Sequence, residues 1–91
     1  MESANEFAPI DMGSLILQLD NFKLMTELNN HLLDRLTREQ LLTKFMRAES
    51  YLADVEVWKK QGDPNKYNQA ITDTIIIVSD IRTLLIDLFK Q

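Results

Sequence analysis

Apolar residues recur along this chain at three- and four-residue steps, the spacing of helical faces. The clearest series is Tyr67, Ile71, Thr74, Val78, Ile81, Leu85 and Leu88, with Ile75, Ile77, Leu84 and Phe89 beside it. It predicts a helix from Pro64 to about Phe89. A second series, Leu41, Phe45, Ala48, Leu52 and Val55, is widened by Leu42, Met46, Tyr51 and Trp58. It predicts a helix ending near Gln61, with Lys59 and Lys60 where the helix dipole favours cations. Between the two stands Gly62–Asp63–Pro64–Asn65. Glycine can take the left-handed conformation that closes a helix, aspartate is a strong N-cap, and proline fits the first helical position. Helices joined so tightly lie antiparallel, so residues from about 37 to 89 read as a helical hairpin.

Upstream, Leu15, Leu19, Phe22, Met25, Leu28, Leu32 and Leu36 predict a further helix from Ser14 to about Leu36. Ser14 is its candidate N-cap, with Asp11 just before it, and Asn29–Asn30 weaken its middle. Thr37–Arg38–Glu39–Gln40 matches a capping box, and Leu36 with Leu41 matches a hydrophobic staple, so a break is expected at Thr37. With neither Gly nor Pro nearby, a continuous or kinked helix is the alternative. Residues 1–13 are polar, non-periodic and interrupted by Pro9, which reads as a disordered tail. The alternative for this segment is a short docking peptide using Phe7 and Ile10. The expected class is therefore all-α: an antiparallel hairpin with an additional N-terminal helix in one domain over 14–91. It can close as a three-helix bundle or as a helix-exchanged dimer.

The run Ile75–Ile76–Ile77–Val78 adds a constraint. Four consecutive helical residues turn through about 300°, so they cannot all face one neighbouring helix. The apolar sector of this helix is too wide for a two-helix hairpin. Helix one, a second copy or a partner protein must cover the remainder.

Composition narrows the function classes. The chain has 91 residues and no cysteine, which excludes disulfide scaffolds and thiolate metal sites. No apolar run approaches the roughly 18 residues of a membrane span, and no basic region precedes an apolar core at the start of the chain. A cytoplasmic location is the expectation. Net charge is −4 and is concentrated early: Glu2, Glu6, Asp11, Asp20, Glu27 and Asp34 face only Lys23 and Arg35, and the rest is balanced. No basic stripe exists to bind nucleic acid.

Catalytic chemistry finds little support. His31 is the single histidine, and Glu27 four residues before it offers a sparse metal set. Ser14, Ser50 and Ser79 lack an assignable base, and Glu49, Asp54 and Glu56 lie among Arg47, Lys59 and Lys60 as a solvated, charge-mixed face. The expectation is no enzyme, no metal and no cofactor. Trp58 and Tyr67 flank the Gly62 turn, either as a core plug or as anchors of a partner interface.

The stretch Lys60–Gln61–Gly62–Asp63–Pro64–Asn65–Lys66–Tyr67, followed by the Ile/Leu-rich helix to Leu88, resembles the small co-chaperones of type III secretion needle subunits, the YscE/PscE-like family. The resemblance covers roughly residues 40–90, and residues 1–36 are additional to it. It implies an antiparallel hairpin that works in the bacterial cytoplasm. With a larger tetratricopeptide-type partner, such a hairpin holds the needle subunit and prevents premature polymerisation. The residues it places against a partner are Tyr67, Ile71, Ile75, Val78, Ile81 and Leu85, to which the apolar run adds Ile76 and Ile77. The alternative is a self-associating structural helical bundle without a secretion client.

Overall fold

The computed structural model describes residues 6–90. It contains helix α1 (Met12–Leu28), helix α2 (Arg35–Gln61) and helix α3 (Pro64–Phe89), with a single 3-10 turn at Asn30–Leu32. No strand occurs among the described residues. The all-α class and the hairpin with an extra N-terminal helix are as the sequence pattern predicts.

The hairpin turn follows from its residues. Gly62 has φ 72°. Its N–H donates to the carbonyl of Lys59 at 3.2 Å, and the Asp63 N–H donates to that of Trp58 at 3.0 Å. These two bonds are the Schellman closure, which satisfies carbonyls the helix end leaves open. A Cβ on Gly62 would meet nothing within 4 Å, so the demand for glycine is conformational rather than steric. Asp63 then caps α3 by accepting the Lys66 N–H at 3.1 Å, and Pro64 opens the helix.

The other two helices start earlier than the sequence suggests. Asp11 caps α1 by accepting the Ser14 N–H at 3.2 Å, and Asp34 caps α2 by accepting the Thr37 N–H at 2.7 Å. Ser14 and Thr37 are thus donors inside the first turn rather than caps. Aspartate is as good a cap as serine and better than threonine, and its charge adds a favourable interaction with the helix dipole. The break between α1 and α2 is real, but it lies at residues 29–34. There the Asn29 N–H and its side-chain amide both converge on the Met25 carbonyl, at 3.1 and 2.9 Å, and end α1. The asparagine pair stops this helix instead of merely weakening it.

Residues 6–13 are not a free tail. Met12 begins α1 and, like Trp58, packs against the cluster of Val55, Tyr67, Ala70 and Ile71 near the turn. Phe7 meets Tyr67 edge-on. The portion of the expected tail at residues 1–5 lies outside the described residues.

At its other end α1 brings Phe22 and Met25 beside Leu85, Ile86 and Phe89. Helix α1 therefore runs parallel to α3, and α2 runs antiparallel to both. It packs chiefly on α3 and touches α2 far less. The main core joins Leu19, Leu33, Leu41, Phe45, Ala48, Ile77, Val78, Ile81 and Leu85. Thr74 is fully buried, and its hydroxyl is satisfied by donating to the Ala70 carbonyl at 2.8 Å. The molecule measures 48 × 21 × 19 Å. Its radius of gyration of 14.9 Å exceeds the roughly 12 Å of a compact domain of this length, so much apolar surface stays near water.

Candidate functional site: an apolar docking surface on α1 and α3

Of the residues expected to meet a partner, Tyr67, Ile71, Ile77, Val78, Ile81 and Leu85 are buried in this chain's own core. Their burial has a simple cause. Helix α2 covers one side of the α3 stripe and α1 covers another, so little of it remains to be shared. Ile75 and Ile76 do project outward, at 42 % and 58 % exposure. That is the divergence the four-residue apolar run requires.

The larger apolar surplus lies on α1. Leu17, Leu24 and Leu28 are 61 %, 52 % and 66 % exposed. At 100° per residue they fall within about 40° of one another, on the side opposite the buried Leu19. They form a crest of leucines along the outside of the molecule. Met25, 37 % exposed, continues the crest toward Ile86 and Phe89 at the end of α3. Between α1 and α3 there is an open groove of about 400 Å³, with Phe22, Met25, Leu85, Ile86 and Phe89 as its apolar walls and Arg82 and Lys90 at its edge. Neither cation has an ion-pair partner among the described residues. Asp20 and Glu27 are exposed on the other flank of the crest.

A second groove, of about 640 Å³, separates α1 from α2. Lys23 spans it to form an ion pair with Glu49, and Leu42 and Met46 lie exposed along it. An exposed ion pair joins the two helices here, whereas α1 packs chiefly on α3. Lys44 pairs with Asp80 across the hairpin at 3.3 Å.

The residues considered for chemistry do not assemble. Glu27 belongs to α1 and His31 to the following 3-10 turn, so the four-residue helical spacing between them is broken. No group of His, Cys, Asp or Glu among the described residues is arranged to hold a metal ion. Trp58 packs at the hairpin end against the cluster that contains Tyr67, Val55 and Ile71. The Lys66 ammonium lies 4.4 Å from the centre of the Trp58 ring. At the start of α2, the Thr37 backbone N–H, then its hydroxyl, hold the Asp34 carboxyl below the ordinary aspartate pKa.

The stripe expected on α1 joins Leu15, Leu19 and Phe22 to Met25, Leu28, Leu32 and Leu36, but the last four are exposed, and Leu28 shares the opposite face with Leu17 and Leu24. A helix apolar on both sides is the signal that two surfaces need covering. Among the described residues no helix is long and apolar enough to cross a membrane. No family model, curated protein or solved structure matches the chain.

Proposed function

We propose that this chain is a small helical adaptor that binds a partner protein by taking an amphipathic helix onto the α1 crest and into the α1–α3 groove. The observation that carries the reading is the row Leu17, Leu24 and Leu28, each more than half exposed on one helix face. Burying such a side chain is worth about 1.5–3 kcal/mol, so a partner helix gains most of its affinity from this row. The flanks favour a helix with acids toward Arg82 and Lys90 and bases toward Asp20 and Glu27. An antiparallel pairing of two copies through the crest sets those acids against each other, which disfavours that form of dimer.

In its specific form the adaptor is a secretion co-chaperone, holding a needle subunit together with a tetratricopeptide-type protein. The support for this form is the Gly62–Tyr67 turn and the Ile/Leu-rich helix that follows it. Co-expression with a needle subunit and a tetratricopeptide protein of one secretion system tests it. The expected result is a complex that survives gel filtration and is lost in Leu24→Asp and Leu28→Asp variants of unchanged helix content. Absence of a complex rejects the secretion form. A complex indifferent to both substitutions rejects the crest.

A further inference from the structure

The hairpin end holds a second arrangement, independent of the crest. Asn68 lies in the second turn of α3 and uses both ends of its side-chain amide on the backbone of the N-terminal segment. Its carbonyl oxygen accepts the Ala8 N–H at 2.8 Å, and its amide nitrogen donates to the Glu6 carbonyl at 2.8 Å. The residue held between these bonds is Phe7. Its ring stands edge-on to Tyr67, with centroids 4.9 Å apart and planes at 81°. Tyr67 itself is buried, which fixes the surface that receives the ring. Beyond the clamp, the Ile10 N–H returns to the Ala8 carbonyl at 2.9 Å, and Asp11 then starts α1.

We infer that Tyr67 and Asn68 form a binding site for an extended peptide carrying an aromatic residue, occupied in this structure by the chain's own residues 6–8. Two features support a ligand from another protein. The Asn68 side-chain amide bonds only main-chain groups, so these bonds do not depend on the peptide's sequence; the aromatic seat on Tyr67 supplies the selectivity. The present occupant also sits shallowly: Phe7 is 40 % exposed, and Glu6 is open to solvent. A partner's extended segment with Phe or Tyr between two free peptide groups satisfies the same bonds when residues 6–8 leave. The short connection to α1 keeps the internal segment as a competitor at high effective concentration.

The test titrates the full chain, labelled with ¹⁵N, with a blocked synthetic peptide of residues 3–10. The Phe7→Ala variant is compared with the parent chain. Addition of peptide is expected to move the chain's own Ala8 backbone amide, released from Asn68, to its unbound position in both proteins. Removing the internal ring is expected to lower the half-saturating concentration about three- to tenfold, the range an aromatic pair contributes. A peptide methylated on the nitrogen corresponding to Ala8 lacks the hydrogen that Asn68 accepts, and its binding is expected to be lost. Should Phe7→Ala lose helix content by circular dichroism, titration of the parent chain decides alone. No movement of the Ala8 amide, or equal binding of the methylated peptide, overturns the inference.

Discussion

At the scale of single residues, aspartates decide where this chain becomes helical. Asp11, Asp34 and Asp63 each accept the N–H of the residue three positions on, and each precedes a helix. The Asp34 carboxyl is exposed, so its effect depends on its hydrogen bonds rather than on burial. Its pKa is lowered in the folded chain. A lowered carboxyl pKa contributes stability that is complete above the unfolded value and lost as pH falls through the folded one. The stability difference between the parent and Asp34→Ala is therefore expected at neutral pH and should fade in acid. Urea denaturation across that range checks it; a difference independent of pH contradicts it. Asp63 was legible because Gly and Pro bracket it. Asp11 and Asp34 were less so, since Ser14 and Thr37 offer competing caps three residues later, and the choice rests on Met12 and Leu33 having core positions to fill.

At the scale of elements, period alone located α2, α3 and their inward stripes. It could not say which surface α1 would cover. Helix α3 carries the consequence in two adjacent residues of one type. Ile77 is buried among Leu41, Phe45 and Ile81, whereas Ile76 points away from the core. Ile77→Asp places an uncompensated charge in the core and is expected to destabilise by about 3–5 kcal/mol. That is a large share of the roughly 5–15 kcal/mol that holds a domain together. Ile76→Asp is expected to leave thermal unfolding almost unchanged. Equal losses from both would mean that α3 is rotated from the orientation described here. The apolar width of α3 was thus read correctly from sequence. The extra sector is covered mainly within the chain, because α1 supplies Leu19 and Phe22 from one side while its own outer leucines remain in water.

At the scale of the whole molecule, a helical rod leaves its third helix only partly embedded. Leu19 is the one buried residue of α1, and the Lys23–Glu49 ion pair links α1 to α2 at the surface. Such a helix is held strongly enough to define a surface and still presents a second apolar face. The two candidate sites divide the rod by chemistry: a leucine crest with a groove that suits a helix, and the Tyr67–Asn68 clamp that suits an extended segment. Each touches the α3 stripe expected from sequence only at an end, through Tyr67 and Leu85, because the rest of that stripe is consumed in forming the hairpin. What remains for a partner is whatever the hairpin and its N-terminal helix cannot bury between them. The crest's role is tested most directly by placing a photoreactive amino acid at Leu24 in the chain expressed in its own cells, with Ser79, exposed on α3, as the control position. One discrete adduct with a different protein is expected from position 24 and none from position 79. No adduct at position 24, or an adduct only with a second copy of this chain, would contradict it.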